Sequence, residues 1–357
     1  MRHFFEDNDS ASALEAQYNA QRIAFAPIIF QVARSMRDLG VLKVLYEHKN
    51  GLDMKSLAQK TNLSLYGISV LIETSLSADI VKQEGELYFI TKTGYFLLND
   101  PMTNANMNYN HHVNYKGLFS LDEAIRSGKP TGLKNFGTWE TIYPALSVLP
   151  KEVKQSWFTF DHFYSDSAFL EAIAKLLELN PATILDVGGN TGKFSMLIAQ
   201  SDPTLQVSIM DLPQQLEIAK ENIAQAGLHE QIKLIAANVL EPSHTFPQGF
   251  DIIWMSQFMD CFSEEAIVTI LTKVKEAMDD KTTLCIMEPF WDRQRFEASA
   301  FCIINTSPYF TAMANGCSKM YHSNDFIKLI EKAGLVVEEI IDHLGVCQSI
   351  IKIKRVL

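Results

Sequence analysis

The chain has 357 residues, 47% hydrophobic and 20% charged, with a formal net charge of -11. That length accommodates two domains, and the balance excludes wholesale disorder. The acidity opposes general affinity for a nucleic-acid backbone, and no apolar run approaches the roughly 18 residues of a membrane span.

The start, Met1 to Asp7, turns acidic at once and lacks the apolar stretch of a secretory signal, so a soluble, cytoplasmic protein is expected. From Ala24 to His48 the apolar positions Phe25, Ile28, Ile29, Val32, Met36, Leu39, Leu42 and Leu45 recur at helical spacings, predicting one or two helices broken near Gly40. Asp53 reads as the N-cap of a further helix, and another runs from Leu65 to Leu76. Ile80–Gln83 and Leu87–Ile90, separated by Glu84-Gly85-Glu86, read as a hairpin. Three helices followed by a hairpin is the order of a winged helix. Between Phe30 and Asp100, however, eight Lys/Arg face eight Asp/Glu, without the basic excess of a DNA-binding module. Residues 1–105 are therefore expected to be a dimerisation domain that joins two copies of the chain.

Residues 106–166, rich in aromatics and asparagine, read as a helical connector that contributes to a substrate site. A helix is expected over Ser167–Leu179. Beyond Pro181 strands and helices alternate regularly, the mark of a parallel sheet covered on both faces. The expected strands are Thr183–Val187, Gln206–Met210, Ile232–Ala236, Phe250–Met255, Thr283–Met287, Val336–Ile341 and Val346–Lys352. Helices are expected near Lys193–Gln200, Gln214–Gln225, Ser263–Met278 and Ser323–Ala333. The fold class is α/β: a Rossmann-like seven-stranded domain over 167–357, behind a mostly α-helical N-terminal domain.

The chemistry concentrates at Asp186-Val187-Gly188-Gly189-Asn190-Thr191-Gly192, where a buried strand meets a glycine-rich turn and then a helix. Such glycines let backbone turn tightly and approach a ligand. The spacing G-G-x-x-G departs from the dinucleotide fingerprint G-x-G-x-x-G. Asp211 closes the second strand, where a carboxylate takes both hydroxyls of an adenosine ribose.

With Asp211-Leu212-Pro213, Ser263-Glu264-Glu265, Met287-Glu288-Pro289 and Asn315-Gly316, this loop resembles the small-molecule O-methyltransferases of the hydroxyindole and caffeic-acid type. The resemblance extends over nearly the whole chain and implies S-adenosylmethionine as cofactor. It places Asp186, Gly188, Gly189 and Gly192 at the methionine end, Asp211 and Leu212 at the ribose, and Asn238 with Val239 beside the adenine. Ser256, closing the fourth strand, joins this cofactor set. The family carries Asp where this chain has Asn238.

The family's base is a histidine in a His-Asp-Trp-Ser-Asp-Glu element, and here Asp260-Cys261-Phe262-Ser263-Glu264-Glu265 stands in that place. An ordinary Asp is about 2.6 pKa units less basic than His, a deficit that burial can recover. Asp260 and Glu288 are the catalytic candidates, Glu288 matching a carboxylate that orients the base. Met320 replaces a further acidic residue of the family, with His322 as a spatial substitute for the base. His162, Tyr164 and Met313 are candidates to line the acceptor site, among aromatics that include Trp139, Tyr143, Trp157 and Tyr309. The expected acceptor is a small aromatic hydroxylated molecule. The alternatives are a cofactor-binding relative with altered or lost transfer, and a winged-helix regulator that senses a metabolite. The five cysteines show no zinc-like spacing, and no metal site is expected.

Overall fold

The computed structural model describes residues 4–5, 9–146 and 148–356, which divide into two compact units, one drawn from 7–110 and the other from 1–6 with 111–357.

In the first unit, helix α1 (Ala13–Asp38) opens with a capping box in which Ser12 accepts from the backbone of Glu15 and Glu15 returns a bond to the backbone of Ser12. Gly40, at φ 78°, breaks the path into α2 (Val41–Glu47). Asp53 and Ser64 cap α3 (Met54–Thr61) and α4 (Leu65–Ser77), each side chain accepting a backbone N–H of the first turn. The hairpin β1 (Val81–Glu84) and β2 (Leu87–Ile90) pairs Glu84 with Leu87 across Gly85-Glu86, and α5 (Lys92–Asn99) and α6 (Pro101–Tyr109) follow. Met36, Leu42, Leu45, Leu57, Ile68 and Ile72 form the core. Along α1, by contrast, Leu14, Tyr18, Ile23, Phe25 and Ile28 are exposed.

The second unit begins with short helical turns and α7 (Leu121–Ser127), followed by the 27-residue helix α8 (Lys151–Leu177). α8 starts sixteen residues earlier than the helix expected from Ser167 and runs unbroken through the expected connector boundary at 166/167. Its first half, with Trp157, Phe158, Phe160, Phe163 and Tyr164, is aromatic on more than one face, which hides the single-stripe periodicity by which a helix is recognised.

The sheet has the order β5-β4-β3-β6-β7-β9-β8. Its strands are β3 (Thr183–Val187), β4 (Gln206–Asp211), β5 (Ile232–Ala236), β6 (Ile252–Ser256), β7 (Thr283–Glu288), β8 (Leu335–Leu344) and β9 (Gln348–Arg355). β3 to β7 pair in parallel, and β9 runs antiparallel to both β7 and β8. Helices α9 (Lys193–Ser201), α10 (Pro213–Ala226), α11 (Glu264–Ala277) and α14 (Ser323–Lys332) connect the strands, with α12 (Glu297–Ile304) and the single turn α13 (Ser307–Tyr309) after β7. Two core clusters flank the sheet, one around Ile198, Ile209 and Trp254 and the other around Met255, Leu271, Ile286 and Phe326. Chain order reverses beside β3, so a crevice is expected at the carboxyl ends of the strands there. Asp186, Asp211, Ser256 and Glu288 all stand at or within one residue of those ends.

Candidate active site

The glycine loop is shaped from beneath. Gly188, at φ +75°, donates to the carbonyl of Met210, and a Cβ on it would lie 2.3 Å from the Phe258 ring. A Cβ on Gly189 would lie 2.8 Å from both Oδ2 of Asp186 and the side chain of Ile209. Gly192, at φ +78°, opens α9. Glycine is thus required by the protein's own packing at the first two positions and by backbone conformation at the third.

Two carboxylates hold the loop. Asp211 Oδ2 accepts the backbone N–H of Asn190 at 2.8 Å and Oδ1 accepts that of Leu212 at 2.7 Å. Burial raises the Asp211 carboxyl, and these two donors pull it back. A carboxylate offers about four lone pairs, so this one retains capacity for two hydroxyl donors such as those of a ribose. Asp186 is 2% exposed and accepts the hydroxyl of Ser195 at 2.6 Å. Burial pushes it up to about 7, against the lowering effect of Ser195. Its carboxylate lies under the loop, packed into it. The residues present fit an adenosyl cofactor: a tight glycine turn, a ribose-type acid at the next strand end and a second acid beneath.

Asn238 and Val239 behave differently from each other. Asn238 is exposed, its Oδ1 accepting the N–H of Leu240 at 3.1 Å, while Val239 is buried in the core beside Leu271. Lys273 of α11 donates to the carbonyls of Val239 and Glu241, a clasp on this loop that sequence reading missed. A lysine at ordinary helical spacing carries no signal of such a contact.

Asp260 and Glu288 are brought together. Glu288 is 3% exposed; its Oε1 accepts the backbone N–H groups of Phe258 at 3.0 Å and Met259 at 2.8 Å, while its buried Oε2 has no partner. Asp260 is 6% exposed, with the thiol of Cys261 3.5 Å from Oδ1. Burial pushes Asp260 up to about 7, and burial followed by the charge of Asp260 raises Glu288 well above the usual carboxylate range. The burial that the Asp-for-His exchange requires is therefore present. Asn315 extends the network: its Nδ2 donates to the Tyr143 hydroxyl, the Cys261 carbonyl and the Ser318 hydroxyl at 3.1, 2.9 and 2.7 Å. Trp157 donates to the Tyr309 hydroxyl at 2.6 Å.

The remaining candidates engage partners of their own. His162 pairs with Asp166 at 3.2 Å, which in turn pairs with Lys193, and this partner raises the imidazole pKa. Tyr164 is 5% exposed and packs on Phe160 and Phe163. Met313 is fully buried, its sulfur lying where a Cβ on Gly117 would stand. His322 caps α14 by accepting the N–H of Asn324 and lies 3.6 Å from Asp292, a contact set apart from Asp260 and Glu288. Ser256 is half-buried at the end of β6. Among the described residues no group of three or more His, Cys, Asp and Glu is placed to hold a metal ion, and no helix is long and apolar enough to cross a membrane.

The seven-stranded sheet and the residues at its strand ends are those of a methyltransferase of the Rossmann-like class. Residues 17–88 match the Dimerisation2-like domain and residues 122–336 match the O-methyltransferase domain. The chain belongs to this O-methyltransferase domain family, whose methyl donor is S-adenosylmethionine. It is 22% identical over 264 residues to the L-tyrosine C(3)-methyltransferase of Streptomyces lavendulae, covering 72% of this chain and 70% of the relative. It is 26% identical over 220 residues to the phenazine-1-carboxylate N-methyltransferase of Pseudomonas aeruginosa, covering 62% of each, so the chain spans less than two thirds of that relative. Among solved structures, the S-adenosylmethionine-dependent methyltransferase SibL superposes with a TM-score of 0.72 at 20% identity, covering 94% of this chain and 98% of that one. The O-methyltransferase NcsB1, solved with S-adenosylmethionine and 2-hydroxy-5-methyl naphthoic acid, gives a TM-score of 0.65 at 16% identity, covering 92% and 96%. At these identities the structural matches establish the fold.

Proposed function

We propose that this chain transfers a methyl group from S-adenosylmethionine to a hydroxyl of a small aromatic acceptor, with Asp260 as the base. The observation that carries the reading is the burial of Asp260 beside Glu288, which raises Asp260 to about 7 and gives a carboxylate the basicity of an imidazole. When bound, the cofactor supplies an electrophilic methyl on a sulfonium. The chain's part is to bind, orient and deprotonate. Asp211 takes the ribose hydroxyls on the lone pairs that Asn190 and Leu212 leave free, with Gly188, Gly189 and Gly192 permitting close approach. Asp186 acts from beneath by fixing the loop, Leu212 presents its N–H to Asp211, and Asn238 with Val239 and Ser256 border the base and methionine ends. Glu288 holds the segment Phe258–Met259 and so aims Asp260. His162, Tyr164 and Met313 shape the walls of the acceptor side.

The resemblance to the first relative, which by name methylates C(3) of L-tyrosine, favours a second reading with the same machinery, transfer to carbon. Deprotonating a phenol also activates its ortho carbon, so Asp260 would serve C-methylation equally well. The exposed apolar row on α1 supports homodimerisation through the N-terminal domain.

Calorimetric titration with S-adenosylmethionine and S-adenosylhomocysteine, beside Asp211→Ala, tests the cofactor assignment. Binding that the substitution weakens by about a hundredfold or more is expected, since it removes a charged acceptor from two N–H groups and two hydroxyls. An unliganded wild-type chain at millimolar cofactor would end the methyltransferase reading. Mass analysis of product from phenolic acceptors then separates oxygen from carbon transfer.

A further inference from the structure

A third carboxyl group, on α8, acts on Asp260. Asp161 lies one helical turn beyond Trp157 on α8, so the two side chains project from the same face. Trp157 is anchored by its bond to Tyr309, which sets that face toward α13. Asp161 is half-buried, and its charge acts on both Asp260 and Tyr309. Burial pushes Asp161 up to about 6. Among the described residues no ion pair and no side-chain hydrogen bond engages its carboxylate. The His162 imidazole, whose charge lowers Asp161, is hydrogen-bonded to Asp166. Deeper in, Glu288 Oε2 is buried without a partner.

Beyond the charge of His162, which lowers Asp161, no ion pair among the described residues engages Asp161, Asp260 or Glu288. Desolvated carboxyl groups are costly to ionise unless a counter-charge arrives, and a negative charge entering the site would raise that cost further. Nothing in the established family membership requires Asp161. We propose that Asp161 is a specificity-determining residue of the acceptor site, receiving an ammonium or amino group on the aromatic acceptor and excluding acceptors that carry a carboxylate. The inference rests on the methyltransferase reading above and adds to it the charge class of the acceptor.

The test uses three phenols of similar size: tyramine, 4-ethylphenol and 3-(4-hydroxyphenyl)propionate. Each is titrated by calorimetry into the full chain saturated with S-adenosylhomocysteine. The expected ranking is tyramine tighter than 4-ethylphenol by about tenfold or more, as for a charge-assisted bond in a partly buried site, with the propionate weakest. In Asp161→Asn the preference for tyramine over 4-ethylphenol collapses, while S-adenosylhomocysteine binding is unchanged. Asp161→Glu retains the preference. Propionate binding as tightly as tyramine, no binding by any of the three, or a preference that survives in Asp161→Asn would overturn the proposal. The wild-type ranking decides even if Asp161→Asn does not fold. Failure of the wild-type chain to bind S-adenosylhomocysteine would instead remove the methyltransferase reading itself.

Discussion

Glu288 Oε1 accepts the backbone N–H of Met259 at 2.8 Å, so the last residue of β7 fixes the position of the residue that precedes Asp260. The same oxygen takes the N–H of Phe258, and the Phe258 ring fills the space that Gly188 leaves open. One carboxylate thereby ties the proposed base to the cofactor loop.

This arrangement separates two substitutions of Glu288. Glu288→Ala leaves two buried N–H groups without an acceptor and should lower stability by roughly 2 to 4 kcal/mol. Glu288→Gln keeps an acceptor oxygen for these two donors and should fold with a smaller loss. A thermal midpoint near wild type for Glu288→Gln, beside a clearly lower one for Glu288→Ala, is the expected result. A Glu288→Ala variant as stable as wild type would show that the two bonds contribute nothing.

Asp260→Asn should lower kcat by about 10²- to 10⁴-fold while cofactor affinity stays near wild type, because only proton removal is lost. Asp260 titrates near 7, and the base must be ionised to accept a proton. The wild-type rate should therefore rise with pH through about 7 and level off above it, as an apparent value of the Asp260–Glu288 pair. A flat kcat profile from pH 5 to 9, or full activity in Asp260→Asn, would exclude Asp260 as the base.

Asp186 makes a prediction about stability. Its folded-state value of about 7 lies above the ordinary 3.8, so the folded chain holds a proton that the unfolded chain has released. Stability from this group is fully present below about 4 and is lost as pH rises toward 7 and beyond. Without cofactor, Asp186→Asn should match wild type near pH 4 and exceed it at pH 8 by up to a few kcal/mol. Thermal midpoints of both proteins across that range provide the check, and a variant less stable at every pH would point instead to a required carboxylate–Ser195 bond.

On α1, Ile23 and Ile28 are 76% and 54% exposed within the first unit. Ile23→Glu combined with Ile28→Glu should convert a dimer to a monomer in sedimentation, because charges would be buried unpaired at the contact. Retention of the N-terminal unit's cooperative melting would show that the fold survives. A wild-type chain that sediments as a monomer at every concentration would remove the dimer proposal.

The sequence by itself determined the α/β class and the seven strands, because buried parallel strands are written as short apolar runs between helical periods. It also located the glycine loop and Asp211, whose spacing is local and follows from a single strand–turn–helix unit. The hairpin and the break at Gly40 were legible for the same reason, since turn chemistry is set by neighbours in the chain. The length of α8 was not legible, because aromatics distributed around its first half leave no single stripe to count. Nor was the carboxylate cluster. Asp161, Asp260 and Glu288 lie on a helix, a loop and a strand separated by 99 and 28 residues, and only the tertiary fold lets Asp161 act on Asp260 and Asp260 on Glu288. Burial and proximity change the basicity of a carboxyl group, and both are properties of packing rather than of residue type. The identity of Asp260 was readable; its chemistry was decided by what surrounds it.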